Sequence, residues 1–157
     1  MKTRLTNVDR ESVRAALIAH KFDPIFADLD REEHALALKV RTRAYGDFIS
    51  VIDSAPEGAF PSTEQVCVAV GGQTYSVSFA ARARVFYIHT RGWSSRILEM
   101  AAGDKLGEQI ADNAQRREDA KSERNNLRNT IDATLREFRT FDDLLAGWPE
   151  AEAFITE

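Results

Sequence analysis

Arg82, Arg84, Phe86, Tyr87, His89, Arg91, Trp93 and Arg96 make up the densest mixture of cationic and aromatic side chains in this sequence. Guanidinium groups neutralise phosphates and aromatic faces stack on unpaired bases, so the run is a candidate nucleic-acid-binding segment, with Arg82, Arg84, Arg91, Trp93 and Arg96 as its site residues. Strand alternation splits the set. It places Arg82, Arg84, Phe86 and Ile88 on one face and Val85, Tyr87 and His89 on the other. The ordinary fate of such a mixture is aromatics in the core and arginines at its rim. Lys39, Arg41 and Arg43 form a second basic patch that extends the first.

Other chemistry finds little support. His20, His34 and His89 fall on different elements, and none has a second histidine or a carboxylate at the spacing of a His-Glu-x-x-His site. Asp30 and His34 share a helical face four residues apart, which is ordinarily a surface pair. Cys67, the single cysteine, excludes an intramolecular disulfide and a cysteine-rich zinc site, and its mid-strand position reads as a small apolar filler. Ser94 and Ser95 lack the frame of a nucleophile elbow, and Gly71-Gly72 lacks the helix and lysine of a phosphate loop. The sequence therefore predicts no catalytic residue, no metal and no cofactor.

The elements that position these residues follow from period and punctuation. Thr6, with Asp9 three residues on, is a capping box opening a helix through Val13, Ala16, Leu17 and Phe22. Pro24 predicts a break, because a proline pushes the preceding residue out of the helical region and suits the first turn of a new helix capped by Asp23. The second helix carries Phe26, Leu29, Glu33, Leu36, Val40, Ala44 and Phe48 at 3-4 spacing, which makes a helical hairpin. Residues 53–63, with Pro56 and Pro61, read as a loop. After it the period becomes two. Gln65–Val70 and Gln73–Phe79 flank Gly71-Gly72, a two-residue hairpin signal that sets Val70 opposite Gln73, Val68 opposite Tyr75 and Val66 opposite Val77. The other face, with Cys67, Ala69, Thr74, Ser76 and Ser78, is small and polar, predicting a sheet covered on one side only. A third strand over Arg84–His89 completes a meander, and Ser94 or Ser95 caps a short helix through Met100.

From Asp104 to Phe138 the chain holds no proline and one early glycine. Its 3-4 stripe is Leu106, Ile110, Asn113, Arg117, Ala120, Arg124, Leu127, Ile131, Thr134 or Leu135, and Phe138. Apolar members sit at the two ends. The polar middle offers three fates: projecting into solvent, pairing with a second copy, or turning back near Ser122. Arg117, Glu118 and Arg124 are its candidate protein-binding residues.

Composition bounds the class. A chain of 157 residues, 43% hydrophobic and 29% charged, is long enough for a real core and too apolar for wholesale disorder. The net charge of −4 argues against a protein that coats nucleic acid indiscriminately. The charge is uneven. Between residues 59 and 98, Arg82, Arg84, Arg91 and Arg96 face only Glu64, whereas residues 140–157 hold five carboxylates and no base. No apolar run of membrane-spanning length appears, and the reading is cytoplasmic, with no membrane partner.

Two terminal motifs carry a resemblance: Met1-Lys2-Thr3-Arg4-Leu5-Thr6-Asn7 running into an alanine-rich helix that ends His20-Lys21-Phe22, and Thr140-Phe141-Asp142-Asp143-Leu144-Leu145 with Gly147-Trp148-Pro149-Glu150-Ala151. In these, and in its order of elements, the chain resembles a family of small tailed-bacteriophage proteins, the nucleotide modification associated domain of the fifth type. The resemblance implies a connection with phage DNA hypermodification, residence in the host bacterial cytoplasm, and no catalytic residue to transfer. Its matched residues read as structural: Thr6 caps a helix, Leu144, Leu145 and Trp148 seat a terminal one, and Pro149 starts the next turn.

The expectation is thus one α+β domain over residues 1–157: an N-terminal helical hairpin, a three-stranded antiparallel meander, and a long C-terminal helix followed by a short terminal helical segment. The leading functional reading is a phage-encoded accessory protein that binds a host or phage protein through the polar middle of the long helix and the acidic tail. The alternative is a nucleotide or DNA modification enzyme, or the nucleic-acid-binding subunit of such a system. A homodimer through the long helix is the third.

Overall fold

The computed structural model describes residues 3–54, 56, 63–80, 85–89 and 97–155. In order these form α1 (Asn7–Tyr45), α2 (Phe48–Ser54), β1 (Thr63–Val70), β2 (Gln73–Ala80), β3 (Val85–His89), β4 (Ile97–Glu99), α3 (Lys105–Glu137), α4 (Phe141–Gly147) and a 3₁₀ segment, Pro149–Phe154. The fold class is α+β. The chain divides into two compact units, one of residues 1–27 and 117–157, the other of residues 28–116.

Three expectations about the elements are corrected. The helical hairpin is instead one helix: α1 runs through Pro24 without a break. An interior proline costs about 3 kcal/mol, because it removes one backbone hydrogen bond and crowds the preceding turn. Packing beside it offsets that cost. Phe22 is fully buried, Lys21 pairs with Glu123 at 3.0 Å, and the Arg124 guanidinium lies 4.9 Å from the Phe26 ring centroid. Second, the short helix expected before Met100 is, in its described part, the strand β4, parallel to β1, with the Met100 amide donating to the Ala69 carbonyl at 2.9 Å. Three residues gain more from an open strand edge than from a helical turn, whose nucleation is unfavourable. The sheet is therefore four-stranded and mixed, in the order β3-β2-β1-β4. Third, its small polar face is covered in part, since Cys67 and Ser76 are buried while Thr74 stays exposed; small side chains allow close cover as readily as they suit solvent.

The hairpin register is the one expected, with Val70 opposite Gln73, Val68 opposite Tyr75 and Val66 opposite Val77. Gly71 and Gly72 turn at φ 53° and 81°, the consecutive positive values of a primed turn that only glycine adopts freely. In the second unit Val66, Val68, Tyr75 and Val77 meet Leu36, Ala37, Val40 and Ala44 of α1, Met100, and Leu106 and Ile110 of α3 in one core. Gly107 lets the first turn of α3 approach closely: a Cβ there would stand 3.1 Å from the Met100 Cβ and 3.3 Å from Val70 Cγ1.

The first unit closes on the chain's two ends. Leu5 donates its amide to the Arg139 carbonyl at 2.9 Å, and Phe141 donates to the Thr3 carbonyl at 3.1 Å. Leu5, Val13, Ile131, Leu135, Leu144 and Ala151 form its core, with Leu17, Leu127, Phe138 and Trp148 packed around them. The capping box is present: the Thr6 amide donates to Asp9 Oδ2 at 2.7 Å and the Asp9 amide to Thr6 Oγ1 at 3.2 Å. Thr140 caps α4 through the Asp143 amide.

α3 is one continuous helix, and its buried stripe is the one the spacing marked. Its polar middle does not turn back near Ser122, and its inward side packs on α1 while Glu118, Asp119, Ser122, Asn125 and Asn126 stay exposed. Within the second unit Asn113, buried, donates to the Leu29 carbonyl at 3.2 Å and to Glu32 Oε2 at 2.9 Å, and Arg116 bonds to Glu32 and Asp112. Within the first, Glu123 and Arg124 meet Lys21 and Phe26 of α1, and Arg14 reaches Asp132 at 2.8 Å. In each unit α1 and α3 lie antiparallel, and charge and amide contacts replace the missing apolar ones.

Candidate nucleic-acid interface

The basic segment that opened the sequence reading, with Arg82, Arg84, Arg91, Trp93 and Arg96, lies outside the described residues. The second basic patch is described, and the fold divides it. Arg41 turns inward, buried, and donates to the Asp53 carboxylate of α2 at 2.9 Å. Lys39 and Arg43, each two helical positions away, stay exposed on the opposite side of α1.

There they join the start of α3. Leu38, Lys39, Thr42 and Arg43 from α1 and Lys105, Leu106 and Gln109 from α3 line a groove of about 710 Å³ in the second unit. The positions 38, 39, 42 and 43 form one helical stripe. Antiparallel packing sets that stripe beside the first turn of α3. Lys39 and Lys105 have no ion-pair partner among the described residues. Leu38 remains 42% exposed, an apolar side chain in a cationic rim. The Thr42 hydroxyl is occupied, donating to the Leu38 carbonyl at 3.0 Å.

Arg43 is fixed at the groove's edge. Its Nη1 lies 2.6 Å from Asp104 Oδ2 and 2.9 Å from the Met100 sulfur. Asp104 is also the cap of α3: its Oδ1 accepts from the Leu106 amide at 2.9 Å and the Gly107 amide at 3.3 Å. The Gly107 amide and then the Arg43 guanidinium hold its carboxyl below the usual range. The groove thus offers three cationic side chains, the Gln109 side-chain amide and an apolar wall, which is what a phosphate-bearing ligand with an attached organic group needs.

The candidate protein-binding residues are not gathered on one surface. Arg117 is half-buried, Arg124 is half-buried over the Phe26 ring, and Glu118 is exposed and pairs with Lys121 at 2.7 Å. Sequence reading missed Leu38, Lys105, Gln109 and Asp104. The stripe at 38, 39, 42 and 43 is a detectable signal, but Lys105 joins it only through the fold. Among the described residues no cluster of three or more metal-ligating side chains occurs, and no helix is long and apolar enough to cross a membrane.

A mixed sheet, long helices and a groove lined by cations from two helical stripes make this a small α+β protein. The chain belongs to the nucleotide modification associated domain 5 family, whose model matches residues 4–157. No curated protein and no solved structure matches it.

Proposed function

We propose that this protein is the nucleic-acid-binding member of a nucleotide-modification system and that the groove holds the phosphate backbone of its ligand. The observation that carries the reading is the convergence of Lys39, Arg43 and Lys105 from two helices on one groove. Membership in a nucleotide-modification family supplies the context, and the basic run of Arg82, Arg84, Arg91, Trp93 and Arg96 adds a second group of phosphate and base contacts. Three cations that each neutralise one phosphate give a log–log salt slope of about −2 on a single strand. Fluorescence anisotropy with a labelled oligothymidylate tests this. The triple change Lys39→Gln, Arg43→Gln, Lys105→Gln is expected to flatten the slope and weaken binding at low salt; an unchanged slope removes the groove from the interface.

A second reading is favoured by the outward side of α3, where Glu118, Asp119, Ser122, Asn125 and Asn126 are exposed in succession. It makes the protein a phage-encoded accessory factor that docks this face on a host or phage protein, with Arg117, Glu118 and Arg124 at or beside the contact. Affinity purification from host bacteria with and without nuclease separates the two readings. A stoichiometric protein that survives nuclease and is lost on Glu118→Lys selects the second. A homodimer through α3 would use the same face, because the apolar stripe is already packed within each unit; sedimentation at twice 17.6 kDa identifies it.

A further inference from the structure

Asp104 does two jobs with two oxygens. Oδ1 caps α3 through the Leu106 and Gly107 amides, while Oδ2 holds Arg43 at 2.6 Å. Among the described residues Arg43 is the one groove cation with a carboxylate partner, so a phosphate entering the groove meets two lysines without one and an arginine already neutralised. Resting on the phosphate-binding reading above, we propose that Asp104 is an intramolecular competitor for Arg43 that makes the groove select a nucleic-acid strand over a lone nucleotide.

The argument is one of effective concentration. A carboxylate tethered beside Arg43 competes at millimolar or higher effective concentration. A free monophosphate at lower concentration does not displace it. In a strand, by contrast, phosphates seated on Lys39 and Lys105 deliver their neighbour to Arg43 as an intramolecular group too, so the two competitors meet on equal terms. Arg43 then changes partner from carboxylate to phosphate, while Oδ1 keeps the cap of α3 in place. Asp104 acts as a positioning residue, through Arg43.

The cap and the competition are separable by substitution. Asn and Ser cap helices about as well as Asp. Asp104→Asn keeps an oxygen for the amides and turns an NH₂ toward Arg43; Asp104→Ser keeps the cap and is too short to reach the guanidinium. Both variants are measured beside the wild type by anisotropy on the labelled oligothymidylate and by competition with thymidine monophosphate, with circular dichroism confirming the helix. The expected result is tighter strand binding by both variants, with the salt slope left at about −2 because three phosphates are neutralised in every case, and competition by the monophosphate that the wild type does not show. Variants that retain their helix but keep the wild-type affinity for the strand and the wild-type indifference to monophosphate overturn the proposal while leaving strand binding intact. Failure of wild type and both variants to bind any strand overturns the phosphate-binding reading itself.

Discussion

Arg10 shows how a single side chain closes an element. Its Nε donates to the Leu135 carbonyl at 3.1 Å and its Nη2 to the Phe138 carbonyl at 2.8 Å, satisfying acceptors that the end of α3 leaves without helical partners. A cation at a helix C-terminus also complements the dipole. Arg10→Met is expected to lower stability by about 1–3 kcal/mol, since charge-assisted hydrogen bonds are lost and their acceptors are left half-buried. Arg128→Met, on the exposed side of α3, should change it by less than about 0.5 kcal/mol. Urea unfolding of the two variants checks the contrast, and equal midpoints would dismiss the capping role. At this scale the sequence announced what is local. The Thr6–Asp9 box joins residues three positions apart and was readable. The contacts of Arg10 and the pairing of Asp104 with Arg43 were not, because the partners are supplied by segments distant in the chain.

At the scale of elements, α3 was readable where its apolar residues recur and misread where they do not. The stripe through Leu106, Ile110, Ile131 and Leu135 held. The stretch between them, rich in Arg, Glu and Asp, reads as wet because a charged face usually is. Here its charges have opposite numbers on α1: Glu32 for Arg116, Lys21 for Glu123, and the Phe26 ring for Arg124. Complementarity between two helices is invisible to a pattern computed on either one alone. α1 erred in the opposite direction, since a local breaker was overruled by the burial of Phe22 and Leu29 on either side of it. Pro24→Ala should therefore raise stability, by up to about 3 kcal/mol, as the His20 carbonyl regains its donor and the ring clash disappears. Thermal unfolding of the variant measures this; a lower Tm would mean that the proline-bearing turn is itself required.

At the scale of the whole molecule, three carboxylates among the described residues tie stability to acid. The Thr6 side chain and amide hold Asp9 below its ordinary pKa, Asn113 and then Arg116 do the same for Glu32, and the Gly107 amide and Arg43 do so for Asp104. A group depressed in the folded state binds fewer protons there than in the unfolded chain, so stability rises with pH across the interval between the two values. These contributions are complete above the ordinary carboxylate range near pH 4 and fade as pH falls below it. Asp9 belongs to one unit, Glu32 and Asp104 to the other. Both units lose support in the same window. We therefore expect residues 1–157 to behave as one domain and to unfold below about pH 4 in a single transition, followed by circular dichroism and tryptophan fluorescence together; two separated transitions would divide the chain into independent halves.

The pairing of residues 3–5 with 139–141 also sets a timetable. The second unit is contiguous, residues 28–116, and all of its strands and packing partners have left the ribosome once Arg116 has. The first unit is split. Val13 and Leu5 wait for Ile131, Leu135 and Leu144, and the Thr3 carbonyl waits for the Phe141 amide. At about 5–20 residues per second, the opening turns of α1 spend seconds displaying their apolar side with nothing to cover it. The opening turns of α1 are made well before the partners that cover them, and a chaperone that meets this protein during synthesis meets it there.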